Sequence, residues 1–439
     1  MLKRRIEQTL IEWKEDANHN PLILKGCRQC GKTFSVLSFA RNNYKHVVYL
    51  NFFENSDYAA AFAGSLHIDH ITMMLSALLG KDAVFVPGET VLILDEIQEC
   101  PEARTALKFF KLDGRYDVIG TGSLLGVRGY GKAPRSIPVG YETVVEMFPL
   151  DFEEFLWANG ISDAMITMLK TCLETEAPVP DAIHNRMKQL LLQYTVTGGM
   201  PEAVQNFIDT KNMYKVLQIQ KDIVRSYEDD MVKYAAPEDK PFIKESFQSI
   251  PRQLSKENKK FQYSVIRKGS TSSRYRGSLQ WIEDAGIIRQ CHNLSITELP
   301  LDGNAMEDIF KVYMTDCGLL VSMLEDGTQF DILQGNLYGY KGAIFENLIA
   351  DIFSKMGRKL YYFHKDSGLE VDFVIRYKGK CTLVEVKAAN GNTKSTKTVL
   401  QNPQKYHVEQ AIKLGDYNIG RTGQILTLPL YMAFLLTSY

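Results

Sequence analysis

The chain has 439 residues and a formal net charge of −1, with 45% hydrophobic and 23% charged residues. This length predicts roughly two to four domains, and the near-neutral balance excludes a chain whose overall charge would attract a polyanion. Seven scattered cysteines argue against a disulfide framework and favour reduced thiols. No apolar run approaches membrane-spanning length, and no signal-peptide pattern follows the basic start, so we expect a cytoplasmic protein with no membrane partner.

The first 150 residues alternate helix-like and strand-like patterns. Ile6 to Trp13 has the period of an amphipathic helix. Unbroken apolar runs of strand length follow at residues 22–24, 47–50, 91–94 and 116–119. Such runs suit a parallel sheet that is covered on both faces. The pattern therefore predicts a doubly wound α/β domain.

A phosphate-binding loop follows the first of these runs. Residues 26–33 read G-x-x-x-x-G-K-T, with an apolar strand before them and a helix-like run after them, which is the context of a P-loop. The glycines let backbone N–H groups turn toward phosphates, Lys32 can reach the β- and γ-phosphates, and the Thr33 hydroxyl can ligate Mg²⁺. We predict bound ATP, held by a set of loop and strand-end residues: Gly26, Arg28, Gln29, Cys30, Gly31, Lys32, Thr33, Phe34, Asp95 and Ser123.

The loop also contains the spacing Cys27-x-x-Cys30, which imitates a redox or zinc motif. No second cysteine pair follows at zinc spacing. We therefore interpret both residues as small side chains that fill a tight turn.

Polar residues end the third and fourth apolar runs. Asp95 is placed to hold Mg²⁺ through water, and Glu96 to orient and polarise the attacking water. The alternative is an ordinary buried strand with a solvated acidic end. The fourth run leads into Gly120-Thr121-Gly122-Ser123. There a hydroxyl would sense the γ-phosphate, with Ser123 the first choice and Thr121 the second, and a plain glycine-rich turn is the alternative.

The middle of the chain is predicted to be a helical lid, residues 151–240, followed by a different module at 241–330. In the latter, a helix after Thr271, then Gly286 and a strand, is the layout of a winged helix-turn-helix. Its basic character would suit a DNA phosphate backbone, and a charged surface on a packing module is the alternative. One acid, Glu257, stands between Pro251 and Gln280 against eight bases: Arg252, Lys256, Lys259, Lys260, Arg267, Lys268, Arg274 and Arg276.

A two-residue turn, Lys378-Gly379, is predicted within residues 331–439. It joins a strand from Leu369 to Tyr377 to a returning strand from Cys381 to Ala388. Because the strand period is two, this register puts four charged residues on one face. They form two directly opposed pairs, Asp372 with Glu385 and Glu370 with Lys387.

Directly opposed carboxylates repel each other unless a cation lies between them. Oxygen ligands favour Mg²⁺ or Mn²⁺, so we predict a metal bound by Asp372 and Glu385, with Glu346 of a preceding helix near it. Lys387 would orient the attacking water or stabilise charge on the pentavalent phosphate, with Glu370 holding it in place. A salt-bridged, exposed hairpin face is the alternative.

This order of residues resembles the restriction-endonuclease-like superfamily, which has a helical Glu, a strand Asp and a Glu-x-Lys motif. The resemblance implies metal-dependent phosphodiester cleavage with Asp372, Glu385 and Lys387 as catalytic residues. An inactive remnant of the same fold is a further possibility.

The whole chain resembles the prokaryotic AAA+-like ATPases with a C-terminal domain of unknown function, related to the archaeal ATPase group. The motifs that carry this resemblance lie at residues 4–6, 26–33, 94–98, 121–123, 148–150, 198–202, 345–347, 370–373 and 384–387. It implies ATP binding, a winged helix, a nuclease-like tail and a possible homo-oligomer. Gly140-Tyr141 stands where the family has Gly-Arg, so an arginine that completes a neighbour's site would have to be another, such as Arg128 or Arg135.

Together these observations predict a P-loop ATPase domain at 1–150, the helical lid, the winged helix-turn-helix and a restriction-endonuclease-like α/β domain at 331–439. The leading hypothesis is an ATP-controlled, DNA-associated nuclease in which Glu96 serves ATP hydrolysis. The alternative is a nucleotide-dependent switch that binds DNA or protein and whose tail cuts nothing.

Overall fold

The computed structural model describes residues 2–123, 140–256, 259–336, 340–387 and 393–437. The chain divides into two compact units, Lys3–Pro149 with Tyr234–Pro237, and Leu150–Lys233 with Glu238–Tyr439. Within the described ranges, no helix is both long enough and apolar enough to cross a membrane. The finer boundaries at residues 240 and 330 remain predictions.

The first unit is built on a five-stranded sheet in the order β2-β3-β4-β1-β5, and all its strand pairs are parallel. This confirms the predicted α/β fold with a parallel sheet. The elements are α1 Arg5–Glu15, β1 Leu22–Lys25, α2 Lys32–Asn43, β2 His46–Asn51, α3 Ile68–Leu79, β3 Thr90–Asp95, α4 Pro101–Asp113, β4 Asp117–Gly122 and β5 Thr143–Glu146.

The core of this unit explains the unbroken apolar strands. All six residues of β3 are buried, as expected for a strand with helices on both faces. Leu92 and Leu94 of β3 pack in one cluster with Leu75 of α3 and Leu107 of α4. Strand β4 lies between β1 and β3, and the carboxyl ends of parallel strands share one edge of the sheet. That edge therefore gathers the strand-end residues that the sequence singled out.

The second unit begins with helices. Asp151 caps the first of them, since its side chain accepts from Glu154 N at 2.8 Å and the Glu154 side chain bonds back to the Asp151 N–H. The helices before the first strand are α5 Phe152–Ala158, α6 Asp163–Thr175, α7 Asp181–Thr197, α8 Pro201–Thr210, α9 Met213–Tyr234, α10 Lys240–Leu254, α11 Tyr263–Ile266 and α12 Ser272–Asp284.

Two sheets complete the second unit. One has the order β7-β6-β8-β9 and the other β10-β11-β12-β14-β13. The remaining elements are β6 Ile288–Leu294, β7 Ala305–Met314, α13 Cys317–Ser322, α14 Thr328–Gln334, α15 Lys341–Lys355, β8 Leu360–Lys365, β9 Leu369–Val371, β10 Phe373–Tyr377, β11 Lys380–Val386, α16 Lys394–Leu400, α17 Pro403–Tyr406, β12 Gln410–Gly415, β13 Gly420–Thr422 and β14 Ile425–Pro429.

The helices α10, α11 and α12 precede the antiparallel pair β6–β7, and the winged helix itself stays a prediction. Strand β6 also pairs in parallel with β8. The sheet that contains β6 and β7 therefore continues past residue 330 into the elements assigned to the last predicted domain.

The predicted turn is confirmed, but the strand before it is not continuous. Lys378 and Gly379 have φ values of 49° and 75°, the positive values that a type I′ hairpin requires at both positions, and Tyr377 pairs with Lys380. The chain bends at Asp372, so that β9 pairs with β8 whereas β10 pairs with β11. Glu370, in β9, therefore does not face Lys387, and that prediction was wrong.

Candidate functional site

The loop between β1 and α2 has the backbone that a phosphate cradle needs. Gly31, the residue before α2, has a φ of 97°, and Gln29 has a φ of 62°, both in the left-handed region. A Cβ added at Gly26 would lie 2.1 Å from Met147 O. Only glycine fits at Gly26, because the obstacle is a backbone atom that cannot rotate away.

Lys32 lies inside this loop. It is 6% exposed, and its Nζ donates to the carbonyl oxygens of Gly26 at 3.0 Å and Cys27 at 2.8 Å. These acceptors are neutral, and a charged phosphate oxygen is a stronger acceptor for an ammonium. A phosphate in the loop could therefore replace the two carbonyl oxygens as the hydrogen-bond acceptor of the Lys32 ammonium.

Asp95 is the centre of a hydrogen-bond network at the end of β3. Its carboxylate accepts from Thr33 Oγ1 at 3.1 and 3.2 Å, from Tyr49 OH at 2.8 Å and from the Thr121 hydroxyl. Burial raises the pKa of Tyr49, and the hydrogen bond to Asp95 raises it further, so Tyr49 remains a donor. The hydroxyl of Thr33 beside a carboxylate is an oxygen donor pair that fits Mg²⁺.

Glu96 occupies an unusual backbone position directly after β3. Its φ of 51° is left-handed, which costs about 1–2 kcal/mol for a residue with a Cβ. Its carboxylate accepts from the Gln98 amide and from Ser123 Oγ at 3.4 Å. The strain is retained where neighbouring contacts fix the chain, a common feature of functional sites.

The other loop residues have separate surroundings. Arg28 donates to Tyr234 OH at 3.3 Å, and its guanidinium lies 5.4 Å from the centre of that ring. Phe34 is 62% exposed. Arg128 and Arg135 lie outside the described residues.

Sequence reasoning did not include Tyr49 and Asn51 in the nucleotide site. The parallel register sets Asn51, the last residue of β2, opposite Asp95, and Asn51 Nδ2 lies 3.4 Å from the Asp95 carboxylate. The signal was present in the sequence, because β2 ends in a polar residue as β3 does.

The second group of charged residues surrounds Glu346 of α15. This residue is 2% exposed. Its carboxylate accepts from Lys311 Nζ at 3.1 Å, from the Tyr313 hydroxyl and from Lys259. Lys311 also donates to Glu370 Oε1 at 2.9 Å, which is the partner that Glu370 has in place of Lys387.

The charges in this group shift the titration of two carboxyls in opposite directions. Burial alone would raise the pKa of Glu346, but the cations Lys311 and Lys259 hold it at about 2. Burial and the negative charge of Glu346 raise the pKa of Asp372 to about 6. Asp372 Oδ2 accepts from Val386 N at 2.8 Å, a contact that ties the bend before β10 to the end of β11.

Glu385 has its own cation. Lys387 Nζ lies 2.6 Å from Glu385 Oε2, and Thr396 donates to Oε1 through its hydroxyl and, at 3.3 Å, its backbone N–H. Among the residues that the structure describes, no three His, Cys, Asp or Glu side chains are grouped so that they would hold a metal ion. Lysines pair with two members of the predicted set, Glu346 and Glu385, and the metal site at Glu346, Asp372 and Glu385 stays a prediction.

The basic segment is largely exposed. Arg267, Lys268, Arg274 and Arg276 are all exposed. Two of them have partners: Arg276 forms ion pairs with Glu307 at 3.3 Å and Asp308 at 3.0 Å, and the Arg274 guanidinium lies 4.5 Å from the centre of the Phe242 ring. The positive field of this segment is thus reduced at Arg276.

Three protein-family models match separate parts of the chain. An AAA domain matches residues 18–156, and two domains of unknown function, DUF8612 and DUF4143, match residues 188–329 and 341–431. A comparison with curated proteins found no match.

Three solved structures illustrate what the chain is similar to. A Walker-type ATPase of Pyrococcus abyssi is 15% identical, with a TM-score of 0.41, over 74% of this chain and 96% of that one. A STAND signal-transduction ATPase with a tetratricopeptide repeat sensor from Pyrococcus horikoshii is 12% identical, with a TM-score of 0.27, over 81% and 45%. AMPPCP-bound DnaA from Aquifex aeolicus is 13% identical, with a TM-score of 0.30, over 65% and 90%. The AAA-domain match by itself makes residues 18–156 similar to AAA-type ATPases.

Proposed function

We propose that this protein binds ATP with Mg²⁺ at the phosphate loop and hydrolyses its γ-phosphate. The observation that carries the proposal is the convergence of Lys32, Thr33, Asp95 and Glu96 at one edge of a parallel sheet, with Thr33 hydrogen-bonded to Asp95. The AAA-domain match over residues 18–156 supports it.

The residues of the site have distinct tasks in this proposal. Lys32 exchanges its two carbonyl acceptors for oxygens of the β- and γ-phosphates, and Thr33 and Asp95 would hold Mg²⁺. The metal, when bound, neutralises charge that develops on the phosphate oxygens. Glu96 accepts a hydrogen bond from the attacking water and orients it toward the γ-phosphate. The Ser123 hydroxyl, which donates to Glu96, would sense whether that phosphate is present.

Two substitutions test this proposal. Lys32→Ala should abolish ATP binding, because it removes the charge on the phosphates, whereas Glu96→Gln should retain binding and lose hydrolysis. Calorimetry with ATP and Mg²⁺ and a phosphate-release assay measure the two effects. Lys45→Ala is the matched control, since this lysine is 71% exposed and pairs with Glu89 at the surface. Normal ATP binding by Lys32→Ala would show that the phosphate loop does not act as proposed.

The finer proposal adds DNA and a nuclease. The exposed bases of residues 251–280 would contact a DNA backbone. Asp372 and Glu385 would bind Mg²⁺ or Mn²⁺ near Glu346, with Lys387 beside a scissile phosphate. For this to occur, a metal has to displace lysines from the carboxylates that they neutralise.

A second candidate function is a nucleotide-dependent switch that binds DNA or protein and cuts nothing. The residues Glu346, Glu370, Asp372 and Glu385 form what we call the carboxylate cluster. The observation that favours the switch is that lysines pair with this cluster: Lys311 and Lys259 with Glu346, and Lys387 with Glu385. A carboxylate already compensated in a buried site has no need of a metal for charge balance.

One experiment separates the two candidates. Wild-type protein is incubated with plasmid DNA or with RNA in the presence of Mn²⁺, with and without ATP, alongside Asp372→Ala and Lys387→Ala. Cleavage that is lost in both variants, with metal binding lost only in Asp372→Ala, would establish the nuclease and exclude the switch with an inactive tail. Absence of cleavage with intact ATP hydrolysis is the result expected for the switch.

A further inference from the structure

Two cysteines of the phosphate loop lie against each other. Cys27 and Cys30 are not disulfide-bonded, their residues are 4% and 0% exposed, and a hydrogen bond joins their side chains. Only Arg28 and Gln29 separate them in sequence. Two small side chains that only fill a tight turn would not need to bond to each other, so this contact goes beyond our sequence interpretation.

The surroundings of this pair are positively charged. Cys30 directly precedes Gly31, the residue before the twelve-residue helix α2, and a helix N-terminus favours a negative charge. Arg4 donates to Cys30 O at 3.0 Å, and Lys32 donates to Cys27 O at 2.8 Å. These cations stabilise a thiolate, the form of cysteine that reacts with oxidants.

The titration of Cys30 agrees with this geometry. The hydrogen bond from Cys27 lowers the pKa of Cys30 to about 6, and Lys32 and Arg4 contribute in the same direction against the effect of burial. By contrast, burial raises the pKa of Cys100 in the same unit to about 11.

We propose that Cys27 and Cys30 form a thiol–disulfide modification site, in which oxidation by hydrogen peroxide closes the phosphate loop to ATP. The Cys30 thiolate attacks one peroxide oxygen, the O–O bond breaks, and hydroxide leaves, which gives a sulfenic acid on Cys30. The Cys27 sulfur then attacks the Cys30 sulfur, forms the S–S bond, loses its proton and releases the hydroxyl as water. In total, two thiols lose two protons and two electrons, and the peroxide is reduced to two waters.

The disulfide would constrain the cradle. A covalent S–S bond would replace the hydrogen bond between the two thiols and cross-link the two ends of the turn at residues 27–30, and we expect this cross-link to displace the loop backbone. That backbone supplies N–H groups to the cradle, and the Cys27 carbonyl helps to hold Lys32. The effect on ATP rests on the proposed function, whereas the formation of the disulfide does not.

The test uses the full chain treated with hydrogen peroxide, followed by alkylation of the remaining thiols. Trypsin cleaves after Arg28, between the two cysteines, so the disulfide appears in a mass spectrum as two joined peptides that dithiothreitol separates. We expect this species in wild type, together with a loss of ATP affinity of at least about tenfold, which dithiothreitol restores.

Two variants complete the experiment, each compared with its own untreated sample. The ATP affinity of Cys27→Ser should not change on oxidation, whereas Cys100→Ser should lose affinity as wild type does. Absence of joined peptides in wild type would overturn the proposal whether or not Cys27→Ser folds, and so would an equal loss of affinity in Cys27→Ser. Joined peptides with unchanged affinity would refute closure of the loop. Untreated wild type that binds no ATP would instead refute the proposed function, and the mass spectrum would still decide the disulfide.

Discussion

Removal of the ammonium of Lys311 tests whether ion pairs stabilise the carboxylate cluster of the second unit. Lys311 is 1% exposed, and its Nζ lies 3.1 Å from Glu346 Oε1 and 2.9 Å from Glu370 Oε1. Lys311→Met keeps an apolar stem of similar length and leaves the buried Glu346 with Lys259 as its remaining cation. Breaking a buried ion pair on one side costs about 3–5 kcal/mol, because a charge is left uncompensated. Glu370 is 36% exposed and can regain water.

The destabilisation should depend on pH with a definite sign. Burial opposes the shift, but Lys311 and Lys259 hold the pKa of Glu346 at about 2 in the folded protein, below its usual value of 4.5. A depressed folded-state pKa contributes stability that is present above pH 4.5 and is lost as the pH falls toward 2. Among the groups that lower this pKa, Lys311 has the largest single effect. The difference in the free energy of unfolding between wild type and Lys311→Met should therefore have its largest value at pH 7 and should decrease below pH 4.5.

Native-state hydrogen exchange of β7 and α15 measures the opening free energy where Lys311 and Glu346 lie. Lys359→Met is the control, since Lys359 lies 3.1 Å from Asp302 but the two are 75% and 62% exposed, and such a pair contributes at most about 1 kcal/mol. Adding Glu346→Gln to Lys311→Met should restore part of the loss, because it removes the orphaned charge. A Lys311→Met variant as stable as Lys359→Met, or one that Glu346→Gln does not improve, would refute this reasoning.

Two further predictions concern the loop and the basic segment. Gly26→Ala should displace the loop and lose ATP binding, because the new Cβ would lie 2.1 Å from Met147 O. The control Gly277→Ala, whose new Cβ has nothing within 4 Å, should stabilise helix α12 by up to about 1 kcal/mol. Calorimetry measures the ATP binding and thermal unfolding the stability, and ATP binding by Gly26→Ala would contradict the first prediction. Arg267→Ala with Lys268→Ala should weaken binding to duplex DNA and flatten its salt dependence, whereas Arg276→Ala, already paired with Glu307 and Asp308, should do less. Fluorescence anisotropy across a salt series compares them, and unchanged affinity of the double variant at low and high salt would assign the segment to packing.

The features that the sequence predicted correctly are those fixed by short stretches of chain. The strand before the phosphate loop, the helix after it and the buried run that ends at Asp95 all follow from local apolar patterns. The turn at Lys378-Gly379 was also predictable, because its backbone requires positive φ at both positions and few residue pairs accept that.

The interruption at Asp372 had no comparable signal. The stretch from Leu369 to Tyr377 alternates as a single strand would. The bend accompanies a hydrogen bond from Val386 N on β11 to the Asp372 side chain, which the sequence of the stretch does not reveal. The exchange of partners between β9 and β10 depends on β8, a different strand of a different sheet. Strand pairing of this kind is a long-range choice that alternation within a segment does not determine.

The carboxylate cluster shows that the physical premise behind the predicted metal site can also be met without a metal. Opposed carboxylates do need a cation, but an ammonium satisfies that need as a metal does. The ammoniums come from Lys311 and Lys259, which lie 35 and 87 residues from Glu346 in sequence, so no spacing rule would have found them.

The same comparison separates the two sites by how readily each takes a ligand. In the phosphate loop, Lys32 is held by two neutral carbonyls, and an anionic phosphate offers it stronger acceptors. Around Glu346, Lys311 and Lys259 are held by carboxylates, so a divalent metal has to replace ion pairs that are already formed and partly desolvated. Replacing the present partners of the lysines by a ligand is therefore favourable in the phosphate loop and unfavourable in the carboxylate cluster. This asymmetry supports the nucleotide switch over the nuclease, and a Mn²⁺ titration in which Lys311→Met binds the metal more tightly than wild type would show that the lysine is the obstacle.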